Sequence, residues 1–260
     1  MNTFITWLLG VGLFSSVVYI RRLRKKIVQT EQANRELISN IAHELKTPMT
    51  SIIGFVETLQ NGALKDPEKA ANFLDIISIE TGRLGHIIDE TLELSRLDNL
   101  KEDNNQSKFS ADGAVEEVVM ALDSIAQRDN ISIKTFYSDS EETIVFANKV
   151  RIKQVLTNII GNAIKYNIPN GKVEVTVSRL AKNLIVKVYN TGQGIKNEHF
   201  ASLFDRFYRV DDGRTRDVGG TGLGLSIVKK IIQLYNGKIE VESIPNESAT
   251  FTISLPICIV

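Results

Sequence analysis

Residues 39–55 read S-N-I-A-H-E-L-K-T-P-M-T-S-I-I-G-F, and their spacing decides what the N-terminal part of the chain can build. Ile41, Leu45, Pro48, Ile52, Phe55 and Leu59 follow one another at steps of 4, 3, 4, 3 and 4. That is a heptad seam, the pattern of a helix packed against partners in a bundle or coiled coil. His43 lies two residues from both Ile41 and Leu45. Two helical steps turn ~200°, so its imidazole points away from the seam. Thr47, Thr50 and Gly54 share its face at steps of 4, 3 and 4, which leaves a low, open surface. Pro48 inside a helix typically costs about 3 kcal/mol, and a local kink beside an exposed imidazole would use that strain. On these grounds alone a solvated surface histidine fits as well as a reactive one.

Asn61-Gly62 ends this helix, and Asp66-Pro67-Glu68 starts another. The aspartate can cap, proline suits the first helical position, and the acid complements the first turn. The second helix is expected to run to about Leu97, with Phe73, Leu74, Ile77, Leu84, Ile87, Ile88 and Leu94 forming a broad apolar face. Two long helices with a short connection make an antiparallel hairpin over residues 31–98. A lone hairpin cannot cover both of its faces, so homodimerisation into a four-helix bundle is expected.

Residues 99–107 (N-L-K-E-D-N-N-Q-S) are polar and read as a linker. From 108 to 256 the pattern changes. Ala111 to Gln127 reads as a helix, Ile131 to Tyr137 and Thr143 to Ala147 as strands, and Arg151 to Tyr166 as a second striped helix. Val173 to Ser178 and Leu184 to Tyr189 alternate as a strand pair. A glycine-rich segment at 213–224 leads into a helix from Leu225 to Tyr235, and strands follow at Lys238 to Ser243 and Thr250 to Leu255. Mixed strands and helices predict an α+β sandwich, a sheet with helices on one face.

The N-terminus is different again. Phe4 to Ile20 carries no charge, and Arg21, Arg22, Arg24, Lys25 and Lys26 follow at once. At ~1.5 Å per residue this run reaches about 25 Å, the short edge of a bilayer span. A cleaved signal peptide would place its positive charge before the apolar run, not after it. Residues 4–20 are therefore expected to form one transmembrane helix, with residues 21–30 as a basic juxtamembrane segment. The basic cluster puts the rest of the chain in the cytoplasm, at the cell membrane. With Met1 to Thr3 ahead of the span and the heptads directly behind it, sensing is expected within the membrane or through a membrane partner.

Composition excludes several classes. At 260 residues, 43% hydrophobic and 24% charged, the chain is that of a folded protein. A formal net charge of zero gives no basic field for nucleic acid. The single cysteine, Cys258, cannot form an internal disulfide, and no Cys/His cluster has zinc spacing. His86 and His199 have no setting comparable to that of His43.

The stretch around His43 resembles the H-box of sensor histidine kinases, and four further motifs stand in that family's order. N-I-I-G-N-A-I-K-Y (158–166) resembles the N-box and N-T-G-Q-G-I (190–195) the first glycine box. L-F-D-R-F-Y-R (203–209) resembles the F-box and G-G-T-G-L-G-L (219–225) the second glycine box. The resemblance covers about residues 30 to 256, and the hairpin is most similar to the phosphate-regulon (PhoR-like) group. It implies a dimerisation and phosphotransfer hairpin followed by a GHKL (Bergerat) ATP-binding domain. It also implies ATP and Mg²⁺ as cofactors, and a homodimer that works with a cognate response regulator.

The residues themselves are compatible with those roles. Glycines that open a helix let backbone N–H groups approach phosphate oxygens, aided by the helix dipole. The loop is neither a Walker loop, which needs Lys-Ser or Lys-Thr after its glycines, nor a dinucleotide fingerprint after the first strand. Asn158 and Asn162 are four apart, on one helical face. By resemblance, Asn162 ligates Mg²⁺, Lys165 supplies charge near the phosphates and Tyr166 a flat surface near the base. Asn190, Gly192, Gly194, Ile195, Arg209, Gly220, Thr221, Gly222, Leu223, Gly224 and Leu225 complete the implied nucleotide site. His43 is the implied phosphoacceptor, and Glu44 the acid that orients the imidazole and takes its proton. Thr47 occupies the place of a residue that positions a water for dephosphorylating the regulator.

Two positions separate the alternatives. Related ATPases of the gyrase and Hsp90 group carry a glutamate four residues before the metal asparagine, where this chain has Asn158. An amide cannot accept the proton from water, which disfavours a hydrolysing machine. Asn190 stands where the family has an aspartate that accepts a hydrogen bond from the adenine amino group. Its carbonyl oxygen can accept the same bond without the charge, a loss of ~1 kcal/mol. A degenerate kinase acting as scaffold or phosphatase is the alternative that Asn190 favours, whereas His43, Glu44 and Asn162 oppose it.

Overall fold

The computed structural model describes residues 2–138, 143–210 and 220–257; the side chains of residues 2–18, 22, 23, 26, 27, 29, 30, 33 and 34 are outside that description. Two compact units divide the chain, Met1–Ile87 and Ile88–Val260. Among the described residues no helix is long and apolar enough to cross a membrane. The segment 4–20, expected to do so, falls through residue 18 outside the described side chains.

The first unit is helical. Helix α1 spans Asn2–Gln60 and carries Pro48 inside it. A short 3₁₀ turn at Ala63–Lys65 follows. Helix α2 (Pro67–Asn99) then crosses into the second unit. It begins where the sequence places it, because the Asp66 carboxylate accepts a hydrogen bond from the Lys69 backbone N–H at 3.3 Å. The seam is present. Pro48 and Leu59 are buried, and Ile41, Leu45, Ile52 and Phe55 are half-buried, while His43, Thr47, Thr50 and Gly54 on the other face are exposed. Phe55 meets Phe73 of α2 with ring centroids 5.2 Å apart, which closes the hairpin.

The second unit is a sheet covered on one side. Its five strands are β2 (Ser132–Tyr137), β4 (Lys172–Leu180), β5 (Asn183–Thr191), β6 (Lys238–Ile244) and β7 (Ser248–Pro256). They lie in the order β2-β4-β5-β7-β6, with only β2 and β4 parallel. A separate pair joins β1 (Ser107–Ser110) to β3 (Ile144–Ala147). Helices α3 (Ala111–Arg128), α4 (Lys149–Lys165) and α5 (Gly224–Leu234) supply the other layer. The Ser110 hydroxyl caps α3 and the Asn148 side chain caps α4. Strand β1 starts at the last residue of the stretch read as linker.

Alternation explains the layering. Val173, Val175 and Val177, then Leu184, Val186 and Val188, then Phe251, Ile253 and Leu255 are buried on one face. They join Ile159 and Ile160 of α4 and Ile227 and Ile231 of α5 in one core. Each such side chain contributes about 1.5–3 kcal/mol on burial. The same period of two carries past Val188 to Asn190, which is only 4% exposed. In the register Asn190 lies between Val173 of β4 and Ala249 of β7. The strand therefore delivers an amide, not another valine, to the end of the helix-facing row.

Candidate nucleotide and phospho-acceptor sites

The end of β5 turns sharply. Gly192 has φ of +154°, and a Cβ there would lie 2.2 Å from the Tyr166 carbonyl oxygen. Only a glycine lets this turn approach the end of α4 so closely. The turn is pinned from its other side. Gly192 N–H donates to the Glu247 carbonyl at 3.0 Å, and Asn246 N–H to that of Gln193 at 2.7 Å. Ile195 N–H donates to the Ser243 hydroxyl oxygen at 2.8 Å. Gly194 lies against the Ile244 carbonyl in the same turn. Within this frame the Asn190 side-chain amide donates to the Thr191 carbonyl at 2.8 Å.

The glycine loop before α5 closes on α4 and on the segment ahead of it. A Cβ on Gly220 would stand 2.6 Å from Lys165 Nζ and 3.9 Å from the Tyr166 hydroxyl. The Lys165 ammonium lies 5.3 Å from the Tyr166 ring centroid. Burial pushes the Tyr166 phenol above its ordinary pKa, and the Arg209 charge opposes that shift. Gly222 has φ of +72°, and a Cβ would meet Phe207 backbone atoms at 2.7 to 3.0 Å. Phe207 N–H donates to the Gly222 carbonyl at 3.0 Å. Asn158 donates to the Gly224 carbonyl at 3.2 Å, tying α4 to the first residue of α5. Leu223 is fully buried and Leu225 packs against the core. Helix α5 begins with no capping side chain, which suits an anion at its N-terminus.

Asn162 is half-buried on α4, one turn beyond Asn158, and its carbonyl accepts the Tyr166 N–H at 2.9 Å. Among the described residues no three His, Cys, Asp or Glu side chains gather as a metal site. A Mg²⁺ held by one amide oxygen, nucleotide phosphates and water fits such a donor set, because this ion keeps several waters and seldom needs a carboxylate cage.

On the hairpin, His43 and Thr47 are exposed, and the Thr47 hydroxyl lies 3.5 Å from the His43 carbonyl. Glu44 is turned toward α2, where its carboxylate lies 3.7 Å from Arg83. His86 is exposed, and His199 Nδ1 is hydrogen-bonded to the Tyr208 hydroxyl at 2.7 Å.

Several interacting residues of the second unit escaped the sequence reading. The Thr221 hydroxyl donates to the Glu90 carboxylate on α2. Asp98 bridges Arg206 at 2.6 Å and Lys230 at 2.8 Å. Asp103, buried, accepts from Arg151 and from the Tyr235 hydroxyl at 2.7 Å each, and Arg151 also reaches Glu93 at 2.7 Å. Burial raises the Tyr235 phenol further above its ordinary range, with the Asp103 carboxylate adding to the shift. The last turns of α2 and the polar stretch after it are thus fastened to the rest of the second unit. The sequence signal was a set of ordinary acids whose partners lie far along the chain.

Comparison with known proteins agrees with this division of labour. Residues 33–100 match the His Kinase A (phospho-acceptor) domain, and residues 147–259 match the histidine kinase-, DNA gyrase B- and HSP90-like ATPase family. Sensor protein kinase WalK of Staphylococcus aureus is 36% identical over 234 residues, covering 88% of this chain and 55% of that protein. The chain thus spans about half the length of this curated relative, and 37% of the form from strain JH9. The solved catalytic domain of histidine kinase ThkA is 33% identical with a TM-score of 0.52, over 58% of this chain and 95% of that one. ThkA in complex with response regulator protein TrrA is 30% identical with a TM-score of 0.69, over 86% of this chain and 61% of that one. With a phospho-acceptor hairpin preceding an ATPase-type domain, the chain belongs to the sensor histidine kinases of two-component systems.

Proposed function

We propose that this chain is a membrane-anchored, homodimeric protein-histidine kinase. It phosphorylates itself on His43 with ATP and passes the phosphoryl group to an aspartate of a response regulator. The observation that carries the proposal is the closure of Gly192, Gly220, Gly222 and Gly224 onto Tyr166, Lys165, Phe207 and Asn158. Four segments distant in sequence make one wall, with the uncapped start of α5 in it. Asn190 offers its side-chain oxygen to the adenine amino group, and Lys165 and the α5 N-terminus face the phosphates. Mg²⁺ held by Asn162 and the phosphates supplies charge neutralisation when bound.

The exposed imidazole of His43 performs the chemistry. Its unprotonated ring nitrogen attacks the γ-phosphorus and forms the N–P bond. The bond to the bridging oxygen breaks, and its electron pair leaves on ADP. The proton on the other ring nitrogen passes to Glu44. Thr47, on the same exposed face, would position the water used in dephosphorylating the regulator. Asn158 spends its amide on the Gly224 carbonyl, where a hydrolase would need a carboxylate facing water. This favours transfer to histidine over hydrolysis.

The partners follow from surfaces. Met49, Ile53 and Val56 form a stripe on α1 that is 50%, 51% and 37% exposed in the single chain. A second copy would bury it in a four-helix bundle. The ThkA complex with TrrA supports a response regulator as the acceptor. Residues 4–20 and the basic cluster behind them support the membrane anchor.

Incubating the full chain in detergent with γ-labelled ATP and Mg²⁺ tests the reading. Acid-labile label that disappears in His43→Gln is the expected result. Phosphate release without protein label would instead make it an ATPase, and nucleotide binding with neither would make it a scaffold.

A further inference from the structure

We infer that Arg83 is a positioning residue for phosphorylation of His43, acting through Glu44; the assignment rests on the kinase reading above. Arg83 stands on α2 and reaches across the hairpin, its Nη2 lying 3.7 Å from Glu44 Oε2 on α1. Its Nη1 lies 4.0 Å from Glu80 Oε2, one turn earlier on α2. The three side chains are mostly covered, at 30%, 23% and 20% exposure for Arg83, Glu44 and Glu80. Arg83 Nε and Glu80 Oε2 are sealed from solvent with no hydrogen-bond partner. One guanidinium thus lies between two carboxylates in a partly covered niche, and one of those carboxylates belongs to the neighbour of His43.

Stability alone is a poor explanation of this arrangement. Ion pairs at such separations and partial exposure are typically worth about 0–1 kcal/mol. Orientation is a better one. His43 is exposed, so packing does not fix its ring, and a glutamate with three rotatable bonds would otherwise sweep through solvent. Arg83 holds Oε2 toward α2, which leaves Oε1 as the arm that receives the imidazole proton. The transfer itself is unchanged: the N–P bond forms, ADP leaves with the electron pair of the broken P–O bond, and the proton goes to Glu44. Arg83 touches neither histidine nor nucleotide. Its part is to keep the acceptor oxygen within reach, and misplacing a catalytic group by about 1 Å can cost on the order of a hundredfold.

The test is a double-mutant cycle in the full chain, read by initial rates of His43 labelling across ATP concentrations. Arg83→Ala is expected to lower the rate at saturating ATP by about tenfold or more, with the ATP KM unchanged within about twofold. Arg83→Lys should recover part of the rate. In a Glu44→Gln background, Arg83→Ala should add no further loss, because its effect passes through the lost carboxylate. Thermal melting of each variant separates misfolding from misorientation, and if Arg83→Ala melts early, the cycle is run with Arg83→Lys. A wild-type rate in Arg83→Ala, an equal further loss in Glu44→Gln, or a loss carried by KM would overturn the assignment and leave the kinase reading standing. An unlabelled wild-type chain would overturn both.

Discussion

The side-chain amide of Asn190 donates to the backbone carbonyl of Thr191 at 2.8 Å, and this bond fixes which way the amide points. With the NH₂ group occupied, the side-chain oxygen is the arm left to accept from an adenine. Aspartate at this position would gain charge toward the base but would set an oxygen against the Thr191 carbonyl. Asn190→Asp is therefore expected to act in two directions. Without nucleotide the variant should lose about 1–2 kcal/mol of stability, the usual cost of a buried polar group that loses its partner. ATP should bind it several-fold more tightly, through a charge-assisted bond. Thermal unfolding with and without Mg-ATP reads both effects, as a lower starting Tm and a larger nucleotide-induced rise. Weaker ATP binding would remove Asn190 from the adenine site.

Gly222 tests the loop. Its φ of +72° and the 2.7 to 3.0 Å approach of a Cβ to the Phe207 backbone leave no room for a side chain. Phe207 itself sits at φ of 61° and donates to Gly222, so it cannot step aside without breaking that bond. Gly222→Ala should distort the loop at a cost of about 1–3 kcal/mol and weaken ATP binding by about tenfold or more. Fluorescent-nucleotide titration, with circular dichroism to confirm retained helix content, decides it. Wild-type affinity would mean that phosphates do not use this loop.

Two carboxyls with lowered pKa values stand at and just beyond the end of α2, Asp98 and Asp103. Burial is the largest single influence on both Asp98 and Asp103 and raises them. For Asp98, Lys230 and Arg206 together outweigh it; for Asp103, the Asn105 N–H, the Tyr235 hydroxyl and Arg151 do so. Both carboxyls therefore lie below the unfolded value of 3.8. A depressed folded pKa means stability that is present above that value and lost as pH falls through the folded pKa. Asp103→Asn should cost about 2 kcal/mol at neutral pH, because Arg151 and Tyr235 lose a charged partner. Its stability should then fall less steeply than the wild type's below about pH 4. Melting curves between pH 7 and 2.5 measure this, and parallel curves would show that Asp103 carries none of the acid sensitivity.

What the sequence made legible was periodic or local. The seam from Ile41 to Leu59 follows from steps of 4 and 3. The start of α2 follows from Asp66-Pro67, and β4 and β5 from strict alternation. The glycine motifs were legible because a turn closing on another backbone restricts which residues can stand there. Strand β1 was not, since Ser107-Lys108-Phe109-Ser110 offers a single apolar residue and forms only by pairing with β3. Nor was the clamp on α2, because Arg151 and Asp103 are 48 residues apart and Tyr235 and Asp103 are 132 apart. A lone acid in a polar stretch looks the same whether it is solvated or paired.

Glu90 offers the remaining test. The Thr221 hydroxyl donates to its carboxylate, and the same hydroxyl oxygen accepts the Leu223 N–H at 3.1 Å. The glycine loop therefore has two donors spent on protein acceptors, and one of those acceptors is an anion. Phosphate oxygens entering the loop need such donors and are repelled by that charge. If phosphates enter this loop as proposed, ATP and Glu90 would compete for it, and Glu90→Gln, which keeps the shape and removes the charge, should tighten ATP binding by about fivefold, or ~1 kcal/mol. Thr221→Val removes the donor itself and should weaken binding. If Glu90→Gln instead weakened ATP binding, the carboxylate would be holding the loop in its binding shape, and the competition would be ruled out.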